Sequence, residues 1–217
     1  EDVAKSGPVP MLRREFKLDG PVARARAYVT SHGLYGLHLN GRRVGDQLFT
    51  PGWTSYNKRL QYQTYDVTPL LKAGDNAVGV ELGNGWYRGN LPGGVDRRNV
   101  YGDRLALLLQ IDVAYKDGRR ELVGTDGGWK AATGPILMSE IYHGETYDAR
   151  LEKAGWTAPG FDDQGWSAVQ VASHRKDDLV APAGPPVRRI QELKPVKVLK
   201  TPAGDTVVDM GQNMVGW

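Results

Sequence analysis

The side chains best suited to chemistry gather in the run Gly83-Asn84-Gly85-Trp86-Tyr87-Arg88-Gly89. Trp86 and Tyr87 offer flat faces of the kind that stack on the C–H patches of a sugar ring. Asn84 and Arg88 can hydrogen-bond hydroxyls, and the glycines let backbone approach a ligand closely. Two other stretches carry the same mixture: residues 53–57 (WTSYN) with Trp53 and Tyr56, and residues 98–103 (RNVYGD) with Asn99 and Tyr101. If these loops converge, Trp53, Tyr56, Asn84, Trp86, Tyr87, Arg88, Asn99 and Tyr101 supply an apolar platform with a few fixed hydrogen bonds. That is the composition of a carbohydrate site. The competing reading is packing: a Trp at a strand exit also fills a sandwich end or meets a neighbouring domain.

A second constellation is Glu145 and Asp148, two carboxylates three residues apart. Glycosidase chemistry uses paired carboxyls on either side of the scissile bond. Spacing along the chain does not supply that separation, and Arg150 beside them makes an internal ion pair the alternative. Asp162-Asp163, ahead of Gln164-Gly165, reads as an Asx turn. The four histidines stand apart without metal-ligand spacing. The absence of cysteine excludes disulfides, thiolate metal sites and cysteine nucleophiles. The glycines at 83–89 do not match a phosphate loop, and no nucleophile elbow is present.

These groups must be held by strands. Alternation of apolar and polar residues predicts strands at 12–18, 23–30, 34–39, 60–65, 77–82, 105–115 and 120–125, with a further strand or bend at 136–142. Leu107, Leu109, Ile111, Val113 and Tyr115 alternate over five positions, and Lys116-Asp117-Gly118 turns the chain into the next strand. Asn40-Gly41 is a hairpin signal because both residues tolerate positive φ. Gly74-Asp75-Asn76 reads as another turn. One helical turn at 68–72, capped by Asp66 or Thr68, is the only helix expected. The fold class is therefore all-β, an antiparallel jelly-roll-like sandwich.

At 217 residues with 40% apolar content the chain can bury a proper core. No apolar run approaches the roughly 20 residues a membrane helix requires. The net charge of +3 is small, and the pairs Arg13-Arg14, Arg42-Arg43, Arg97-Arg98 and Arg119-Arg120 read as solvated loop ends. Neither nucleic acid nor membrane is an expected partner. Residues 1–10 read as a lead-in, 11–172 as the sandwich, 173–186 (polar, then Pro-rich) as a linker, and 187–217 as the start of a second, incomplete β domain. The alternative for those last strands is pairing back onto the first sandwich. With Glu1 at the start and a strand-like run near the end, the chain reads as a piece of a longer polypeptide. The compartment is left open.

Several segments, in order, carry a family resemblance: ARAYVTSHGLYGLHLNGRRVGDQLFTPGWTSYNKRLQYQTYDVTPLL, GDNAVGVELGNGWYRG, NVYGDRLALLLQI, TDGGWKA, GPILMSEIYHGETYDARLE and GWTAPGFDDQGW. The chain resembles the N-terminal β-sandwich region of bacterial α-L-rhamnosidases of glycoside hydrolase family 78, with a galactose-binding-like fold. The resemblance implies a longer enzyme in which further β domains and an (α/α)6 barrel follow, the barrel carrying the acidic residues that hydrolyse terminal α-L-rhamnose. No catalytic residue is then expected here, and the partners are the rest of that polypeptide and an L-rhamnose-containing carbohydrate. In some relatives the matching sandwich is a calcium-dependent rhamnose-binding module. No cofactor is required for the supporting role. Were calcium bound, the resemblance makes Asn57 and Asp103 the nearest ligand candidates, although Ser55 and Lys58 bring no carboxylate beside Asn57.

Overall fold

The computed structural model describes residues 5–93 and 97–214. Its strands are β1 (Pro10–Leu18), β2 (Val22–His32), β3 (Leu34–Leu39), β4 (Arg42–Arg43), β5 (Gln47–Leu48), β6 (Leu60–Gln61), β7 (Gln63–Asp66), β8 (Gly74–Gly83) and β9 (Ala106–Tyr115). Beyond these come β10 (Arg120–Gly124), β11 (Lys130–Thr133), β12 (Ile136–Glu140), β13 (Gly144–Tyr147), β14 (Ser167–Ala168), β15 (Leu179–Val180), β16 (Val187–Arg188), β17 (Lys197–Lys200) and β18 (Thr206–Asp209). Among the described residues, helix is confined to one α-turn, α1 (Gly85–Arg88), and the 3-10 turns Thr68–Leu70 and Ala149–Leu151. No helix among them is long and apolar enough to cross a membrane.

Six strands form one sheet in the order β14-β11-β1-β8-β3-β4, and four form a second in the order β10-β9-β2-β7. Every pairing within both is antiparallel. Ala25, Ala27 and Val29 of β2 and Leu109, Ile111 and Val113 of β9 share one core with Leu37 and Leu39 of β3 and Val78, Val80 and Leu82 of β8. This is a β-sandwich, as the strand alternation requires. Each of the larger apolar side chains, fully buried, contributes about 1.5–3 kcal/mol. Asn40 and Gly41 both take positive φ between β3 and β4, the geometry a two-residue hairpin needs. The Asn40 side chain also ties the turn down: its amide donates to the Leu70 carbonyl and Asn76 Oδ1, both at 2.8 Å, and its Oδ1 accepts from Ala77 N.

The structure departs from the sequence reading in several places. Arg13 is not a solvated loop end: it lies in β1, 1% exposed, and donates to Asp163, Glu15 and the carbonyls of Trp156 and Ala158. The guanidinium is buried because residues 156–163 fold over it and supply the acceptors. Asp163 therefore serves Arg13 and Lys130, while Asp162 alone makes the Asx turn, accepting from Gln164 N. Gly74–Asn76 begins β8 instead of forming a free turn, with Asn76 fully buried and bonded to the backbone of Lys72 and Gly74. The strand expected over 60–65 is split at Tyr62 into β6 and β7, because β6 takes a different partner.

That partner comes from the stretch read as a linker. β15 runs parallel to β6, and β16 pairs antiparallel with β5. Among the described residues β17 and β18 pair only with each other. Residues 1–4, 94–96 (just ahead of the rim loop at 98–103) and 215–217 lie outside the described residues.

Candidate functional site

The aromatic candidates do converge. α1 follows β8 at once, because Gly85 takes φ +53 and a Cβ there would meet Leu34 at 2.6 Å. The run at 83–89 is thus a helical turn where a loop was expected. It stacks Trp86 on Trp53, the ring planes nearly parallel at 6° and the centroids 5.7 Å apart. Phe49 adds a third ring, 6.0 Å from Trp86. Trp53 Nε1 donates to the Tyr101 hydroxyl at 3.3 Å, and Tyr101 meets Tyr56 edge-on at 5.0 Å. Tyr56 in turn packs edge-on against Tyr87, and both are buried in a small cluster with Leu60. Burial holds the Tyr56 and Tyr87 phenols above their ordinary range, with Tyr101 adding to the first and Asp103 to the second. The platform that solvent sees is therefore Phe49, Trp53 and part of Trp86. It borders a groove of about 280 Å³ whose other wall includes Pro51, Pro186 and Val187.

The polar candidates go elsewhere. Asn84 is buried, and its amide donates to Glu140 Oε1 at 3.1 Å and to Ser6 Oγ at 2.9 Å. Arg88 is 1% exposed, and its carbonyl accepts from Asn99 N at 3.1 Å. Asn99 takes φ +56, which Asn tolerates better than most residues. The Asn84 contact leads to Glu140, a residue the sequence reading passed over. Its buried carboxylate accepts from Asn90 N at 2.9 Å and pairs with Arg98 at 2.6 Å. Burial pushes the Glu140 carboxyl up, but the Asn90 N–H and the Arg98 guanidinium outweigh it and hold the group below the usual range. The one available signal was a lone acid inside the apolar run ILMSEIY. Asn84 and Arg88 thus brace the rim from within, and neither presents its side chain to solvent.

The remaining candidates do not join the rim. Asp148 caps the 3-10 turn at Ala149–Leu151 and holds Arg150, whose backbone N–H and guanidinium both donate to it. Those bonds keep its carboxyl below the usual range. Glu145 is exposed on β13. Asn57 and Asp103 are both exposed, and the Asn57 carbonyl accepts from the Arg175 guanidinium at 2.9 Å. A cation already at that oxygen opposes a second one. No group of three or more His, Cys, Asp or Glu among the described residues could hold a metal ion. Asn57 and Asp103 therefore stand without a cluster of acidic ligands among the described residues.

The class of protein these features define is a two-sheet antiparallel β-sandwich domain with an aromatic rim and an internally bonded polar hub. The sequence profile described as the α-L-rhamnosidase N-terminal domain matches residues 20–191. The chain belongs to that family. An α-L-rhamnosidase of Streptomyces avermitilis is 50% identical over 207 residues, covering 94% of this chain and 20% of the relative. One of two similar Formosa agariphila α-L-rhamnosidases is 39% identical, covering 94% of this chain and 22% of its own length. Among solved structures, native Aspergillus terreus α-L-rhamnosidase superposes with a TM-score of 0.95 at 46% identity, over 98% of this chain and 25% of its own. The Streptomyces avermitilis enzyme complexed with L-rhamnose gives 0.89 at 48%, over 96% and 20%. The chain spans about a fifth of the length of the curated relatives it matches.

Proposed function

We propose that this chain is the non-catalytic N-terminal β-sandwich part of an α-L-rhamnosidase that hydrolyses terminal α-L-rhamnose, and that it supports the catalytic domain. The carrying observation is that Asn84 and Arg88 are spent inside the fold, which leaves the rim with apolar rings on its outer side. An aromatic surface short of free hydrogen-bond donors suits contact with another domain of the same polypeptide. Asp148, committed to Arg150, makes a poor proton donor, which argues against a self-contained glycosidase built on Glu145 and Asp148.

A second reading is a rhamnose-binding module, with or without calcium. The exposed Trp53 of the stacked Trp53–Trp86 pair favours it, since an outer indole face can stack on a sugar ring. Calorimetric titration of the chain with L-rhamnose, with and without calcium, separates the two. The supporting role predicts no heat at millimolar sugar and no turnover of an aryl α-L-rhamnoside. Heat that Trp86→Ala removes establishes the module instead, and turnover lost in Glu145→Gln or Asp148→Asn overturns the non-catalytic assignment.

A further inference from the structure

Residues 173–180 lie against the sandwich through two kinds of contact. Backbone bonds form the first: Leu60 N donates to the Asp178 carbonyl at 2.9 Å and Tyr62 N to the Val180 carbonyl at 3.1 Å. The second is a charge cluster that the rim does not use. His32, at the end of β2, stacks on Tyr87 with centroids 4.3 Å apart and meets the His174 ring edge-on at 5.0 Å. His174 Nε2 stands 3.3 Å from Asp178 Oδ1, and Arg175 Nε stands 3.2 Å from Oδ2 of the same carboxylate. Asp178 is 5% exposed.

The charge count decides how this cluster responds to acid. With both imidazoles neutral, the buried Asp178 carboxylate is balanced by Arg175, and Arg175 also leans toward the exposed Asp177 at 3.8 Å. Charging His32 adds a second cation beside this site, with the Tyr87 ring on one face, the His174 ring against its edge and Asp103 only beyond Tyr87. Asp178, shared with Arg175, compensates a buried imidazolium only in part. We propose that His32, packed between Tyr87 and His174, is an acid-sensitive latch that holds residues 174–180 to β6 near neutral pH and weakens that hold as its imidazole charges.

The direction for His32 agrees with this. Burial, then the neighbouring His174, hold it below its ordinary value, and Asp178 only partly offsets them. The docked state therefore binds fewer protons than the released one. Docking is at full strength above about pH 6.5 and weakens as pH falls from there toward the lowered docked value. One linked proton changes the opening equilibrium by at most about tenfold per pH unit. The latch lies between the sandwich and β16–β18, so acid would loosen the segment that joins the sandwich to those strands.

The test is amide hydrogen exchange on the whole chain, read residue by residue and corrected for intrinsic rates, from about pH 7.5 to about pH 5. Leu60 and Tyr62 report the latch, and amides of the β2–β9 pairing report the sandwich. Protection at Leu60 and Tyr62 should fall roughly tenfold or more across that range while the β2–β9 amides hold. His32→Gln should flatten the fall. His174→Gln, at a more exposed position, should reduce it and serves if the first variant folds poorly. Protection at Leu60 and Tyr62 that ignores pH, or an undiminished fall in both variants, overturns the proposal.

Discussion

Replacing Glu140 by Ala tests whether the rim is braced from within. The carboxylate pairs with Arg98, accepts from Asn90 N and Asn84 Nδ2, and is buried. Glu140→Ala leaves the Arg98 guanidinium, 12% exposed, without its counter-charge. Removing one partner of a buried pair costs about 3–5 kcal/mol, because the other is left uncompensated. A domain of this size holds about 5–15 kcal/mol in all, so the variant should lose roughly a fifth or more of its stability. Glu140→Gln keeps an acceptor for Asn90 and should cost less, about 1–3 kcal/mol. Urea unfolding followed by tryptophan fluorescence measures both, and the near-ultraviolet circular dichroism of the Trp53–Trp86 pair should shrink in the Ala variant before global unfolding. The acid limb gives an independent check. The folded Glu140 carboxyl is lowered, so its contribution is complete above the unfolded value of about 4.3 and is lost as pH falls through the folded one. The natural chain should thus lose stability below about pH 4 more steeply than Glu140→Gln. An Ala variant within about 0.5 kcal/mol of the natural chain, or equal acid slopes, refutes the brace.

Two further substitutions probe how the sandwich is closed. Arg13→Met removes the guanidinium that pins residues 156–163 to β1, leaves Asp163 with Lys130 alone, and should cost about 3–5 kcal/mol in urea unfolding while speeding proteolysis within 156–163. Gly33→Ala should cost about 2–5 kcal/mol by thermal unfolding, since a Cβ at φ +105 would sit 2.4 Å from the Gly83 carbonyl, where β2 passes into β3 and backbone cannot yield; a loss under 1 kcal/mol contradicts the close approach.

The sandwich was legible because alternation is a local property. Leu109, Ile111, Val113 and Tyr115 turn inward together whatever pairs with them, and Asn40-Gly41 dictates its own turn. The short strands escaped because they depend on partners distant in sequence. β11 (KAAT) has no apolar signature and exists because β1 offers it an edge, and β15 falls in a Pro-rich stretch whose composition argues against strands. Arg13 escaped for the same reason: nothing near it announces that residues 156–163 will supply its acceptors.

The site shows the limit of such reading most clearly at Asn84 and Trp86. They lie two residues apart, and side-chain chemistry alone treats them as one group. The turn of α1 sends them to different neighbours, Trp86 to Trp53 and Asn84 to a carboxylate 56 residues further along the chain. A buried amide must be bonded, and Glu140 bonds it, so a group that could have met a sugar hydroxyl instead fixes the turn that displays the ring. Flat rings on a rigid turn serve either a sugar face or a protein face. What separates those uses is whether a free donor or acceptor stands at the edge of the rings. On this rim Trp53 Nε1 is taken by Tyr101 and the Tyr56 hydroxyl by the Gly52 carbonyl, in addition to the commitments of Asn84. Where ring-edge polar atoms such as these are satisfied by the fold itself, a hydroxylated ligand gains less from them than from the apolar faces of the rings, so the balance between the two proposed uses turns on how much ring surface a partner covers.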